Sequence, residues 1–291
     1  MAVGLFAALV ACAGSSGPRH GTGASPPPIP PRSPHSGAYG FALIGDFGTQ
    51  DAAESAVAAS MRQWVRRRPF DGLVTLGDNV YDSGSPGDFH AAWTAPYGWV
   101  DRLGVPVVWT LGNHDVETAD GAPELRAFHV PGRWYERTVG PVEFVVLDAN
   151  QPDDASQMAW LERTLGAATA PWTVVVFHQP AYSCGFHQST PEVDARWVPL
   201  FARYHVDLVV NGHDHDYQRF APKSGVTYVV DGEGGADFYP VGPCPAGTPS
   251  PVAANDTDHG FLYLSATASR LTGQAVGVGG TVLDTFVLRN R

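Results

Sequence analysis

Five short apolar runs each end in side chains that can bind metal ions. Phe-Ala-Leu-Ile leads into Gly45-Asp46-Phe47-Gly48, and Leu-Val-Thr-Leu into Gly77-Asp78-Asn79-Val80-Tyr81. Val-Val-Trp-Thr-Leu leads into Gly112-Asn113-His114-Asp115, Thr-Val-Val-Val-Phe into His178, and Asp-Leu-Val-Val-Asn into Gly212-His213-Asp214-His215. The donors are two carboxylates (Asp46, Asp78), a phenol (Tyr81), an amide oxygen (Asn113) and three imidazoles (His178, His213, His215). A single Gly-Asp after a strand reads as a turn closed by its own side chain, and one His-x-His is a weak signal. Five coinciding run ends are different: they place too many polar groups at strand ends to bury unpaired. A dinuclear metal centre would partner all of them at once.

The elements that must position these side chains are legible as alternating patterns. Residues 41–44, 73–76, 107–110, 144–147, 173–177 and 207–210 are β-branched-rich runs of strand length. Helical patterns cover 51–68, stopped by Pro69, and then 89–103, 156–168 and 192–204. Strand–helix alternation predicts an α/β fold with stacked sheets, and open α/β sheets bind ligands beyond the carboxyl ends of their strands. Further on, 226–230, 261–267, 271–278 and 281–288 read as consecutive strands, with Gly279-Gly280 as a hairpin turn. They predict a mixed or antiparallel second sheet. Residues 232–258 are rich in Gly and Pro and lack periodicity, as long functional loops do.

With 291 residues, 44% of them hydrophobic and only 16% charged, the chain can bury a sizeable core, which excludes disorder of the whole. Asp and Glu number 29 against 18 Lys and Arg, a net charge of −11. That argues against a nucleic-acid-binding surface, which needs basic charge to displace counterions. A small anionic substrate is compatible with it, because a local positive centre outweighs the average field.

In order along the chain, Asp-x-Gly (46–48), Gly-Asp-x-x-Tyr (77–81), Gly-Asn-His-Asp (112–115), Val-x-x-His (175–178) and Gly-His-x-His (212–215) resemble the five blocks of the calcineurin-like metallophosphoesterases. The form is that of the purple acid phosphatases, including the tartrate-resistant type. The resemblance covers about residues 38–291 and implies a four-layer αββα sandwich of two mixed β-sheets flanked by helices. It implies two metal ions: Fe(III) at Asp46, Asp78, Tyr81 and His215, and a divalent Fe, Zn or Mn ion at Asp78, Asn113, His178 and His213. Asp78 would bridge them, as a carboxylate can. Tyr81 discriminates within the family, since a phenolate is a hard ligand suited to Fe(III) and would give a phenolate-to-iron charge-transfer colour.

Two metals roughly 3.5–4 Å apart can clamp the attacking and leaving oxygens of an in-line displacement, and can lower the pKa of a water until it is hydroxide at acid to neutral pH. A ferric and a divalent ion, set against two carboxylates, a phenolate and a hydroxide, keep a core charge of about +1, which draws in a phosphate. The expected activity is phosphomonoester hydrolysis. His114, beside the ligand Asn113, is the expected proton donor, with Asp115 orienting its ring. His187, nine residues after His178, matches a His of the animal-type enzymes at that spacing. Cleavage of phosphodiesters or nucleotides on the same centre, a non-catalytic binding role and a redox role for an iron pair are the competing readings.

The N-terminus reads as an export signal. Residues 3–11 form an apolar run too short to span a bilayer as a mature helix, and Leu-Val-Ala-Cys at 9–12 looks like a bacterial lipobox. Residues 1–11 are therefore the expected signal, Cys12 the lipidated residue and membrane contact, 12–37 a Pro/Gly/Ser tether and 38–291 the catalytic domain. Cys184 and Cys244 form an even pair, which in an exported protein reads as a disulfide closing a loop of about 60 residues; two free buried thiols are the alternative. A bridge would hold the loop carrying His187.

Overall fold

The computed structural model describes residues 37–290. The expected signal, Cys12 and all of the tether but Gly37 lie outside the described residues. In the first half of the chain come β1 (Tyr39–Ile44), α1 (Ala52–Trp64), β2 (Gly72–Thr75), α2 (Ala95–Asp101), β3 (Val107–Val108), α3 (Asn113–Glu117), α4 (Ala122–Ala127), β4 (Tyr135–Val139) and β5 (Val142–Val146). The second half forms α5 (Ala155–Ala167), β6 (Trp172–Val176), α6 (Pro191–Arg196), α7 (Val198–Arg203), β7 (Leu208–Asn211), β8 (Tyr217–Phe220), β9 (Thr227–Asp231), β10 (Pro251–Asn255), β11 (Gly260–Ala266), β12 (Arg270–Gly277) and β13 (Val282–Arg289).

Two mixed sheets stack face to face, one ordered β13-β12-β11-β1-β2-β3 and the other β10-β8-β9-β7-β6-β5-β4. Strand periodicity explains the layering. In β1, Phe41 and Leu43 face the second sheet, where they meet Phe144, Val174 and Val210. The alternate residues Ala42 and Ile44 face outward onto Val57 and Met61 of α1 and Tyr97 and Val100 of α2. The second sheet repeats this: Val145, Val175 and Val209 pack on Leu161 of α5, on Phe201 of α7 and on Trp197 between α6 and α7. Strands buried on both faces read as unbroken apolar runs, which is why they stood out in the sequence. Helix, sheet, sheet and helix make the αββα sandwich that was expected. β1 runs parallel to β2 and β2 to β3, while β6 runs parallel to β7, so the five motif-bearing strand ends lie at the carboxyl edges of two facing sheets.

Local departures from the sequence reading have local causes. The strand expected at 107–110 stops at Val108, because side chains take the ladder's hydrogen bonds. The Trp109 N–H donates to the Tyr135 hydroxyl (2.8 Å), which donates to the Trp109 carbonyl (2.9 Å), and the Thr110 N–H donates to Thr75 Oγ1 (3.0 Å). The helix expected at 192–204 is two helices meeting at Trp197, since Pro199 cannot donate an intrahelical bond. The segment 89–103 opens as a π-helical turn, His90–Thr94, before α2. Strands β4, β8 and β10 carried no readable signal. β10 lies inside the aperiodic 232–258 stretch and pairs antiparallel with β8, so the neighbouring strand, not local propensity, decides its conformation. The β12–β13 hairpin turns at the expected Gly-Gly. Among the described residues no helix is long and apolar enough to cross a membrane.

α1 begins where Asp51 accepts hydrogen bonds from Ala53 N (2.9 Å) and Glu54 N (3.0 Å). Glu54 then points inward. One oxygen accepts from Gln50 N at 2.6 Å, and the other is buried without a partner. Burial pushes its pKa from 4.5 to about 8, so the folded chain holds a proton there that the unfolded chain releases. Glu54 thus favours the fold at pH below about 4.5, and that contribution is lost as pH rises through about 8. Urea unfolding at pH 5 and pH 8 should show wild type losing more stability over that interval than Glu54→Gln; equal losses would count against this account.

Candidate metal centre

The seven side chains expected to ligate come together at one end of the sandwich, as two clusters that share Asp78. The Tyr81 hydroxyl lies 3.0 Å from Asp78 Oδ2, 3.3 Å from Asp46 Oδ1 and 3.2 Å from His215 Nε2. His178 Nε2 lies 3.2 Å from Asp78 Oδ2, 3.1 Å from Asn113 Oδ1 and 3.2 Å from His213 Nδ1. Each cluster is one of the two sets assigned from the sequence. Two donors about 2.1 Å from a shared cation and at right angles to each other would be ~3 Å apart, so both clusters have the spacing of a coordination shell.

Hydrogen bonds behind the site set the ring orientations. His178 Nδ1 donates to the Leu76 carbonyl (2.8 Å), and His215 Nδ1 donates to that of Asp237 (2.7 Å). In its neutral tautomer the His178 Nε2 lone pair therefore faces the Asp78 carboxylate and the Asn113 amide oxygen, an arrangement of acceptors that only a cation or a proton relieves, while that of His215 faces the Tyr81 hydroxyl. The chemistry of the donor set thus fits a pair of cations. The electrostatics of these side chains point the same way. Burial opposes a charge on His178, yet the Asp78 and Asp46 carboxylates overcome it and raise its pKa to about 10. Burial also works against ionised Asp78, and the His178 and His114 rings outweigh it, holding that carboxyl well below its usual range. His213 and His215 are pushed down, to about 2 and about 4, by burial first and neighbouring imidazoles second. They are neutral, the form that ligates.

The backbone accommodates this convergence at a cost. Asp46, Asp78 and His213 have φ of 57°, 51° and 76°, left-handed conformations that cost about 1 kcal/mol each outside glycine. Gly77 and Gly112 let neighbouring strand ends approach. A Cβ on Gly77 would sit 2.5 Å from His178 Nδ1, and one on Gly112 would collide with the Asp78 carboxylate.

The three residues expected to assist the chemistry lie in different places. His114 sits at the site: its N–H donates to Asp78 Oδ1 (3.0 Å), its ring lies 4.6 Å from that of Tyr81, and its Nδ1 is 2.5 Å from the Asp82 carbonyl. His187 is also there, its ring 4.2 Å from that of His213 and its N–H on Asp214 Oδ1 (2.7 Å). Its loop is held by a Cys184–Cys244 disulfide. Asp115 does not orient the His114 ring, which the Asp82 carbonyl holds instead. Both Asp115 oxygens are taken by Gly112 N (2.7 Å), Asn79 N (2.9 Å), Val80 N (3.1 Å) and Asn79 Nδ2 (3.1 Å). The carboxylate ties the loop after β2 to the start of α3 and acts through the positions of Asp78 and Asn113.

Sequence reasoning missed several contributors. Glu124, from α4, accepts from Asn79 Nδ2 at 2.6 Å without lying in any motif. Tyr239 stacks on His215, with ring centroids 4.2 Å apart and planes 13° apart, from within the unreadable 232–258 stretch. Asn150 donates to the Gly112 carbonyl (3.3 Å) and accepts from Gln179 (2.8 Å); the position of Gln179 directly after His178 was the only available hint. Asp214, between His213 and His215, is buried and bonded to Ser183 and to His187 N.

An αββα sandwich with paired donor clusters at its strand ends defines the chain as a metallophosphoesterase-fold protein with a dinuclear-type site. The calcineurin-like phosphoesterase profile matches residues 40–217, and the chain belongs to that family. A purple acid phosphatase of Glycine max is 28% identical over 233 residues, covering 72% of this chain and 49% of that protein; the chain thus spans about half the length of this relative. The tartrate-resistant acid phosphatase type 5 of Mus musculus is 27% identical over 235 residues, covering 67% of this chain and 72% of its own. Among solved structures, a purple acid phosphatase from yellow lupin seeds superposes with a TM-score of 0.75 at 20% identity, over 91% of this chain and 55% of that one.

Removing the Asp115 carboxylate would leave several buried N–H groups unpaired, so Asp115→Ala should cost about 3 kcal/mol or more in chemical denaturation. It should also reduce bound metal per chain, since the two segments it joins carry Asp78 and Asn113. An unchanged unfolding midpoint would show that the two segments are held together some other way.

Proposed function

We propose that this chain hydrolyses small phosphomonoesters on a pair of metal ions, in the manner of the purple acid phosphatases. Asp46, Asp78, Tyr81 and His215 would hold Fe(III); Asp78, Asn113, His178 and His213 would hold a divalent Fe, Zn or Mn ion. The observation that carries this reading is the pair of donor clusters, one around the Tyr81 hydroxyl and one around His178 Nε2, joined by Asp78. Relatives named as purple acid phosphatases, one from Arabidopsis thaliana named as a Fe(3+)-Zn(2+) enzyme, support it. When bound, the metals would supply Lewis-acid polarisation of the ester and a water of lowered pKa.

The chain's own residues do the rest. The Leu76 and Asp237 carbonyls fix two imidazoles with Nε2 inward, so little reorganisation is needed on loading. Burial, then the charge on Asp78, raises the Tyr81 phenol well above its usual range; it gives up its proton only to a strong cation, which couples loading to pH. The Asp82 carbonyl occupies His114 Nδ1, leaving Nε2 to pass a proton to the leaving oxygen. His187, whose ring lies over that of His213, would contact the ester or share that role. A net charge of −11 over the whole chain disfavours polyanions such as duplex DNA.

Metal analysis with a visible spectrum tests this. We expect close to one iron per chain and a broad visible band that Tyr81→Phe abolishes. His114→Ala should keep the metals and lower kcat by about 10²–10⁴; unchanged turnover would remove His114 from the mechanism. We also infer export with lipid on Cys12. Mass spectrometry of the cell-derived protein should find an N-terminal diacylglyceryl-cysteine that Cys12→Ser loses, and an unmodified Cys12 would end that inference.

A further inference from the structure

Beside the donor clusters stands an aromatic surface that the hydrolytic chemistry does not use. Phe186 is 66% exposed, the only aromatic among the well-exposed large hydrophobic side chains of the described residues. Its ring lies 4.9 Å from that of Tyr239 and 5.1 Å from that of His187. Tyr239 stacks on His215, and His187 lies 4.2 Å from His213. Phe186 is therefore one ring removed from an imidazole of each cluster, at the mouth of the site. An isolated exposed Leu or Val needs no explanation, but an exposed ring continuous with a polar site points to a ligand surface.

The surface is also rigid. The Cys184–Cys244 disulfide joins the strand of loop before Phe186 to the segment after Tyr239. Gly242 N donates to the Cys184 carbonyl (2.8 Å), Cys184 N to Gln218 Oε1 (2.8 Å) and Gly185 N to Ser183 Oγ (2.9 Å). Ser183 is bonded in turn to Asp214, which receives the His187 N–H (2.7 Å). Tyr239 N donates to the His215 carbonyl (3.2 Å). A flexible Phe would have to be ordered on binding. This one is held on both flanks before a ligand arrives, so stacking on it costs little entropy.

We infer that Phe186 and Tyr239 form a specificity-determining platform that selects phosphate esters whose alcohol carries a planar aromatic ring. The inference rests on the phosphomonoesterase reading and refines its substrate class. With the phosphate at the donor clusters, the ester oxygen's substituent extends toward the rim, where a flat ring finds the exposed ring of Phe186, backed by Tyr239, and an aliphatic polyol finds nothing to hydrogen-bond on Phe186. Aryl and nucleoside phosphates share this chemistry.

The test compares kcat/KM of the metal-loaded full chain on phenyl phosphate, adenosine 5′-monophosphate and glycerol 2-phosphate, for wild type, Phe186→Ala and Phe186→Trp. In Phe186→Ala the ratio of at least one aromatic substrate to glycerol 2-phosphate should fall about threefold to tenfold, the weight of one ring contact. The fall should come mainly through KM, and Trp should restore it. Which aromatic substrate loses its advantage tells aryl from nucleoside esters. An unchanged ratio, or an equal loss on all three substrates, overturns the platform. Calorimetric binding of phenylphosphonate against methylphosphonate repeats the comparison without turnover. A chain that binds both but hydrolyses no ester refutes the hydrolase reading alone. The platform then stands only if phenylphosphonate binds more tightly and loses that advantage in Phe186→Ala.

Discussion

Electron-pair donors held within about 3 Å of one another are the constraint around which this molecule is built. Asp46, Asp78, Tyr81 and His215 crowd one point, and Asp78, Asn113, His178 and His213 another. Without positive charge between them such groups repel and pay the cost of burial. The Asp78 and Asp46 carboxylates draw positive charge to His178, against the effect of burial. The sandwich around it reads as the scaffold needed to hold that arrangement in place: two sheets packed through an apolar interior, with five strand ends facing each other.

Several features follow from this constraint. Three of the donors sit in left-handed backbone conformations, and two glycines let the strand ends close up. Asp115 accepts from backbone and amide N–H groups of the two segments that carry Asp78 and Asn113. Strain at the site is offset by apolar burial on both faces of nearly every central strand, from Phe41 and Val74 to Val174 and Val210. The same division holds at the opening. The polar floor is set by strand ends, whereas the rim comes from loops that a disulfide and the Asp214 network make rigid. Rim and floor nevertheless touch: Tyr239 stacks on His215, and His187 lies against His213.

Much of the centre was legible beforehand because each donor directly follows an apolar strand run. A donor at a strand end is located by a local pattern, and parallel strands bring such ends to one edge. The layers were legible for the same reason: a strand covered on both faces is an uninterrupted run of Val, Leu, Ile and Phe. What escaped detection has no local signature. β10 is a strand because β8 pairs with it, Glu124 reaches Asn79 from a helix 45 residues on, and β3 is cut short by hydroxyl groups of Tyr135 and Thr75.

Residue type and order by themselves determined that Asp46, Asp78, Tyr81, Asn113, His178, His213 and His215 would stand at strand ends, and that two sheets would form, because hydrophobic period and strand-terminal position are properties of neighbouring residues. Tertiary structure alone decided that His114 leans on the Asp82 carbonyl and not on Asp115, that Tyr239 stacks on His215, and that Phe186 is exposed at the rim. Those outcomes depend on which atoms meet across loops distant in the chain, and side-chain hydrogen bonding and ring stacking act over a few ångströms of space regardless of separation in sequence.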